Sequence, residues 1–481
     1  MRNINIILLV LLFGIFSCSS REQDNKGTST DWEGLLKVNE LELKLIFKLN
    51  NERCLLDVPA QAVQDYPSSK YEIFGDSIKI TFSGMMKASF VGINQKDTLI
   101  VGKWTQMGKI YPINLKRKRE YLRTQNPTPP FPYNVENVSY FNEDKSIKFG
   151  GTLTTPREET NYPVAILISG SGQEDRDETL FGHKPFLVIA DYLTRQGIAV
   201  LRIDDRGVGQ TTGKETLVNA TSLDFAMDVI AGIEYLKNRK DINPDQIGLI
   251  GHSEGGLIAS IVGAKRNDVA FIVSLAGVGV NGEKLILSQI EKSLQLTVTS
   301  PSIDTIMVFE KKAIDIINQE RTDRLAEITI MQQLMGKRIT NQDSIVKKYF
   351  GMEIKDGFES YNFKTLGERY KRLMLPWYRY LLSYNPEEFL PKIKAPFLAL
   401  NGEMDKQVLA DLNLNGFKNT FDECGKGNYK TINYSGLNHF FQHCKTGYYD
   451  EVETIEETIS PEVLNDISAW IKEQIGKNNT P

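Results

Sequence analysis

The chain has 481 residues, more than one ordinary domain needs, and this length suggests two or three. Apolar residues make up 41% and charged residues 25%, the balance of a globular protein rather than a disordered or membrane-embedded one. With 57 Lys and Arg against 61 Asp and Glu the formal net charge is −4, which leaves no basic excess of the kind that marks nucleic-acid binding. Four cysteines are too few for a disulfide scaffold and lack paired C-x-x-C zinc spacing, so neither a metal nor a cofactor is expected. Histidine chemistry has only His183, His252, His439 and His443 to draw on.

Met1-Arg2-Asn3 is a short basic start, and an almost unbroken apolar run follows from Ile4 to Phe16. At about a dozen residues it falls short of the ~20 that span a bilayer as a helix. Residues 1–17 therefore read as a signal peptide, to be excluded from the fold. The junction Ile15-Phe16-Ser17-Cys18-Ser19-Ser20 resembles a bacterial lipoprotein lipobox, which implies that Cys18 is lipidated after cleavage. A plain secretory signal is the alternative. Either way the protein leaves the cytoplasm. The lipidated form would sit at the cell envelope, touching a bacterial membrane only through its N-terminal lipid anchor and facing the periplasm or exterior. In that oxidising setting Cys424 and Cys444 could pair, although sequence does not fix the distance between them.

After a flexible tether over 18–31, residues 32–117 read as a β-rich domain. Leu41 to Leu49, Ile78 to Phe82 and Ala88 to Gly92 alternate with period two, the pattern of an antiparallel sheet or small barrel. The region has no histidine and no acid cluster. Pro59-Ala60-Gln61-Ala62 and Trp104-Thr105-Gln106 are either contact points or turn and core residues. Asn126-Pro127-Thr128-Pro129-Pro130-Phe131-Pro132 is proline-dense, so 118–136 is expected to be an extended linker.

From Pro163 the chain alternates short apolar strands with helices. Val164–Ile168, Ile198–Ile203, Ile247–Ile250 and Phe271–Leu275 read as strands, and Pro185–Gln196 and Leu223–Lys237 as helices. Near-continuous apolar strands suit a parallel sheet buried on both faces, and the alternation suits an open α/β fold. Residues 281–390 break the rhythm with amphipathic helical stretches, such as Ile306–Phe309 and Ile328–Met331, and read as a cap. The sheet resumes at Ala395–Leu400.

Gly251-His252-Ser253-Glu254-Gly255 is a G-x-S-x-G sequence between a strand and a helix, the context that gives this motif meaning. The sharp turn demands small flanking residues and raises Ser253 as a candidate nucleophile. It also aims the N–H of Glu254 at a developing oxyanion, beside a helix N-terminus. The second oxyanion donor is expected at the N–H of Ser171, in the loop Ser169-Gly170-Ser171-Gly172. A serine needs a base and the base needs an orienting acid, in the chain order Ser, acid, His. That order leaves His439 or His443 as base, with His439 preferred. Beyond the strand ending at Leu400, Asp405 is preferred over Glu403 as the acid. Asp204-Asp205-Arg206 either binds a charged substrate group or forms a structural loop with Asp–Arg pairing.

Several stretches now resemble one family. These are Gly170-Ser171-Gly172 with Asp175-Arg176-Asp177, Gly182-His183-Lys184-Pro185, Asp204-Asp205-Arg206-Gly207, Pro376-Trp377, Gly402-x-x-Asp405 and Leu437-Asn438-His439-Phe440. Together they make Asn137 to Trp470 similar to bacterial capped serine esterases and S33 aminopeptidase-like hydrolases of the α/β-hydrolase superfamily. Trp32-x-Gly34 resembles the start of their β-rich N-terminal domain. The resemblance implies an α/β-hydrolase fold, a mostly parallel sheet with helices on both faces, over 137–280 and 391–477, with the helical cap and the all-β domain as additions. It also implies a triad of Ser253, Asp405 and His439. His183 and the cap residues Trp377, Arg379 and Tyr380 are expected to touch substrate, although the cap rings could equally anchor the cap to the core. The substrate is a small ester or a short acyl or peptidyl molecule. Three functions stay open: a carboxylic-ester hydrolase, an S33-like aminopeptidase or amide hydrolase, and a catalytically silent binding protein on the same scaffold.

Overall fold

The computed structural model describes residues 30–477, apart from 39–40, 51–52, 59–62, 84–85, 96–97, 107, 119–120, 158–159, 297, 299, 320–328, 330–343, 351, 356–357 and 362–369. The signal segment, Cys18, most of the 18–31 tether, Pro59–Ala62 and most of Ile328–Met331 lie outside the described residues. The chain divides into two compact units between Tyr121 and Leu122.

The first unit is one antiparallel sheet. Its strands are β1 (Thr30–Val38), β2 (Leu41–Leu49), β3 (Cys54–Val58), β4 (Val63–Pro67), β5 (Lys70–Phe74), β6 (Ser77–Phe82), β7 (Ala88–Gln95), β8 (Leu99–Gln106) and β9 (Lys109–Arg117). They are ordered β4-β3-β2-β1-β9-β8-β7-β6-β5. Period-two alternation puts Phe47, Phe82, Phe90 and Trp104 on one buried face. There Phe47 lies 5.2 Å from Phe90, and Phe82 5.8 Å from Trp104, between ring centroids. Trp104 is thus a core residue, its indole N–H donating to Gln106 Oε1 at 3.2 Å.

The second unit holds an eight-stranded sheet: β10 (Asn134–Phe141), β11 (Lys148–Thr155), β12 (Tyr162–Ile168), β13 (Ala199–Ile203), β14 (Ile242–His252), β15 (Ile272–Leu275), β18 (Phe397–Gly402) and β19 (Tyr429–Tyr434). Strands β16 (Met352–Lys355) and β17 (Phe358–Tyr361) form a separate hairpin in the cap. The main order is β10-β11-β13-β12-β14-β15-β18-β19. β10–β11 and β11–β13 pair antiparallel and the remaining pairs are parallel. Every residue of β15 and β18 is buried, as strands covered on both faces must be. The helices are α1 (Pro185–Arg195), α2 (Ser222–Lys237), α3 (Glu254–Lys265), α4 (Gly282–Leu294), α5 (Ser302–Gln319), α6 (Ser344–Tyr349), α7 (Pro376–Ser383), α8 (Ala410–Glu423) and α9 (Pro461–Lys477). None is long and apolar enough, among the described residues, to cross a membrane.

Two arrangements differ from expectation. The proline-rich segment expected as a linker is bound to the second unit from residue 122. Arg123 donates to the carbonyls of Phe181 at 3.0 Å and Glu453 at 2.7 Å, and also to that of Ile455. Gln125 Nε2 donates to Ile459 O at 2.8 Å, and β10 already begins at Asn134. Prolines cannot donate to a sheet ladder, so the side chains of Arg123 and Gln125 supply the bonds instead. The cap, expected as helical, combines α4–α7 with the β16–β17 hairpin. Its two ends meet where Gly282 N–H donates to Tyr384 O at 2.9 Å.

Candidate active site

Ser253 stands between β14 and α3 at φ 54°, ψ −117°, a conformation rare for a non-glycine residue. The turn is tight enough to explain its glycines. A Cβ on Gly251 would stand 2.0 Å from Gly255 O, and one on Gly255 2.1 Å from Ile168 O. The backbone is pinned by Ser253 N–H donating to Leu275 O at 2.8 Å. Glu254 is the first residue of α3, where a backbone N–H lacks an intrahelical acceptor.

The loop after β12 closes over this turn. A Cβ on Gly170 would meet Ser253 Cβ at 3.4 Å. The Gly170 N–H donates to Glu178 Oε1 at 2.9 Å and so is already engaged, with Ser171 the next residue of the loop. The Glu254 carboxylate accepts from Ser222 Oγ at 2.6 Å, from Trp377 Nε1 at 2.8 Å and from the Ser171 hydroxyl. Burial raises the pKa of this acid, and those three donors oppose the rise.

Asp405 and His439, the expected acid and base, lie on the turns after β18 and β19. Asp405 Oδ1 accepts the N–H groups of Gln407 at 2.7 Å and Val408 at 2.9 Å, which aims Oδ2 at His439. His439 Nδ1 donates to that oxygen at 2.7 Å, so the free ring nitrogen is Nε2. Asn438 shapes the histidine loop by accepting the N–H groups of Phe440 and Gln442, both at 3.0 Å. Met404 N–H donates to Leu437 O at 2.9 Å and ties the two turns together.

The structure separates the paired alternatives. Glu403 is turned away, accepting from Ser435 Oγ and from Gly436 N–H at 3.2 Å. His443 is 66% exposed and bound to Glu457, whereas His439 is 3% exposed. No hydrogen bond joins Ser253 Oγ to His439 among the described residues. Such bonds are often long without substrate and tighten in the complex.

His252, the residue before the serine, was not among the expected site residues. Its Nδ1 lies 2.9 Å from Glu178 Oε1 and its Nε2 3.1 Å from His439 O. Its ring centroid is 4.8 Å from that of His439. Glu178 was missed because it sits 74 positions from His252 with no spacing motif to join them. An acid shortly after the glycine-rich Gly170–Gly172 loop was the available signal. The aromatic rings of Phe181, Phe440 and Tyr449 form a ridge beside His439, with Phe440 5.3 Å from His439 and 6.2 Å from Tyr449.

The residues expected at the substrate have other partners. His183 is buried, with Nδ1 2.9 Å from Thr458 Oγ1 and Nε2 3.2 Å from Val452 O, so it cross-links loops. Burial and the nearby Arg123 push its pKa down to about 4, which keeps it neutral. Arg379 donates to Ile317 O at 2.6 Å and to Met374 O at 3.3 Å, inside the cap. Trp377 is bonded to Glu254, as an anchor would be, and Tyr380 is half-buried near Glu388 and Asp224. The Asp204–Arg206 stretch is a paired structural loop whose partners lie outside it: Asp204 bonds Arg176 at 2.6 Å and Arg206 bonds Asp228 at 2.6 Å. Cys424 and Cys444 are free thiols.

Residues 185–342 match the family described as serine aminopeptidase, S33. The esterase EstD of Thermotoga maritima is 28% identical over 194 residues, covering 40% of this chain and 45% of that protein. The putative hydrolase YtaP of Bacillus subtilis is 35% identical over 135 residues, covering 25% of this chain and 45% of that one. The chain thus spans about half the length of the curated relatives it matches. Among solved structures, the alpha/beta hydrolase GrgF from Penicillium sp. sh18 aligns at 17% identity over 71% of this chain and 99% of that one, with a TM-score of 0.43. The strand order of the sheet, the serine turn between β14 and α3, and the family matched over residues 185–342 together give the second unit an α/β-hydrolase fold.

Proposed function

We propose that the protein is a carboxylic-ester hydrolase that works through an acyl-enzyme on Ser253. The observation that carries this reading is the 2.7 Å bond from His439 Nδ1 to a buried Asp405, in a chain whose serine turn lies next to the same histidine loop. Similarity to an esterase over part of the chain supports it. His439 Nε2 takes the proton of Ser253 Oγ as the oxygen attacks the ester carbonyl carbon. The N–H groups of Ser171 and Glu254 stabilise the oxyanion. His439 then returns the proton to the departing alkoxide, and the alcohol leaves. Water, deprotonated by the same nitrogen, attacks the acyl-enzyme, and His439 passes that proton to Ser253 Oγ as the acid leaves. Asp405 keeps Nδ1 protonated and the ring oriented throughout, as in other Ser-His-Asp enzymes.

A peptidase reading would need an acid for the substrate amine. The Glu254 carboxylate already holds three donors and is poorly placed to take a fourth. The enzyme acts at the cell envelope, anchored through Cys18; this is supported by the residues around the Ile15–Ser20 junction. The test is a panel of chromogenic esters of rising acyl length beside aminoacyl and dipeptidyl anilides, with a fluorophosphonate probe. Ester turnover and labelling, both lost in Ser253→Ala, are expected. Preference for the anilides would overturn the ester assignment, and an unlabelled, folded native protein would favour a silent binding scaffold.

A further inference from the structure

Beneath the proposed triad lies a second acid–imidazole pair that the reaction scheme does not use. Glu178 and His252 are 6% and 5% exposed, so neither is a surface ion pair. Glu178 Oε1 lies 2.9 Å from His252 Nδ1 and accepts the Gly170 N–H, also at 2.9 Å. The other ring nitrogen of His252 lies 3.1 Å from His439 O. A carboxylate and a carbonyl are both acceptors, so an imidazole that satisfies them both must carry a proton on each nitrogen. Burial opposes that charge, but Glu178, the His439 carbonyl and Asp405 together raise the pKa of His252. Behind Glu178 stand the further acids Glu174, Asp175 and Asp205.

The pair also holds unfavourable backbone in place. Glu178 lies at φ 52° and Ser253 at φ 54°, both in a region that non-glycine residues rarely adopt. Residues persist there only where surrounding contacts hold them. The bonds reach three segments remote in sequence: the loop carrying Gly170 and Ser171, the serine turn, and the loop carrying His439. These segments bear the oxyanion donor, the nucleophile and the base.

We propose that Glu178 and His252 are positioning residues for ester hydrolysis, clamping the oxyanion loop and the base loop to the serine turn so that all three keep one geometry through both half-reactions. The proposal rests on the catalytic reading above. A misplacement of about 1 Å at an active site can cost about 10²-fold in rate. The expected signature is therefore a loss in turnover rather than in substrate binding.

The experiment uses the full chain and p-nitrophenyl butyrate, comparing native protein with Ser253→Ala, His252→Gln, Glu178→Gln and the His252→Gln/Glu178→Gln double variant. Circular dichroism and melting curves establish folding. The expected result is a kcat lowered about 10- to 100-fold in each single variant, with KM within about threefold. The double variant should be no worse than the weaker single by more than about twofold, because both residues act through one network. Glu178→Gln keeps an acceptor for Gly170 and is the gentler test if His252→Gln does not fold. Native kcat in a folded Glu178→Gln protein, or a loss seen only in KM, overturns the clamp while leaving the catalytic reading intact. If neither single variant folds, the pair is a folding element and the proposal is overturned. No hydrolysis by the native chain, or undiminished hydrolysis by Ser253→Ala, overturns the catalytic reading itself.

Discussion

The indole N–H of Trp377 donates to Glu254 Oε1 at 2.8 Å, so the last helix of the cap is bonded to the residue directly after Ser253. The same carboxylate oxygen accepts the Ser222 hydroxyl at the start of α2. One buried acid therefore gathers the cap, the nucleophile helix and a neighbouring helix. Trp377→Phe keeps a ring and removes the donor. Hydrogen bonds to charged groups contribute about 1.5–3 kcal/mol, so the melting temperature should fall by several degrees. Activity should drop by one common factor across the ester panel. A change in preference among esters would instead show that the ring forms a pocket wall.

Asp405 and Glu403 offer a direct contrast within one turn. Asp405→Asn should lower kcat by about 10³- to 10⁴-fold, because an amide favours the wrong tautomer of the base. Glu403→Gln removes a charge whose hydroxyl and N–H partners lie on the far side of the turn, and turnover should stay within about twofold of native. Steady-state kinetics on p-nitrophenyl butyrate decides between them. Comparable losses in both would refute the assignment of the acid.

The ridge of Phe181, Phe440 and Tyr449 stands beside His439, the proposed proton donor to the leaving oxygen, so it should contact the alcohol part of the substrate. Phe440→Ala should alter kcat/KM ratios between methyl and phenyl esters of one acid by about 1–3 kcal/mol, tenfold to two-hundredfold. Ratios between acyl chains on one alcohol should hold. If acyl preference moves instead, the ridge lies on the acyl side.

Asp205 makes stability depend on pH. Burial, with Glu178 and Glu254 nearby, pushes its pKa up from 3.8 to about 7, although the Glu174 N–H and the Ser169 hydroxyl pull it down. Between those values the folded protein keeps a proton that the unfolded chain has released. Stability from this group is therefore greatest below about pH 4 and is lost as pH rises towards 7. Asp205→Asn has no such proton. The melting temperature of the variant minus that of native protein should rise between pH 5 and pH 8. A constant difference would show that Asp205 ionises as an ordinary carboxylate.

Features carried by local pattern were legible in the sequence. Period-two alternation marked β2, β6 and β7, and apolar runs marked the central strands of the second unit. The serine turn could be read because its motif is compact, with Gly251 kept small by Gly255 within one five-residue turn, although Gly255 itself is kept small by the remote Ile168 O. Asp405 and His439 followed from strand ends and chain order. Pairings across long separations left no such trace. His183 and Arg379 looked available because their side chains are polar, but their partners include backbone carbonyls, which every residue supplies and no sequence singles out. Glu178 and His252 escaped for the same reason, since burial of an ion pair is a property of the assembled core. The hairpin β16–β17 lay in a stretch whose apolar residues fit a helix equally well.

The Gly282–Tyr384 contact at the base of the cap gives the insert a common doorway. A chain segment whose ends meet at a backbone hydrogen bond constrains what lies between them chiefly where it touches the core, as Trp377 does at Glu254. Its length and content can drift while β15 and β18 stay paired in register, and loop-closure entropy grows only slowly with the residues added. New substrate preferences can therefore be acquired by exchanging this cassette, with the residues proposed for catalysis left where they are.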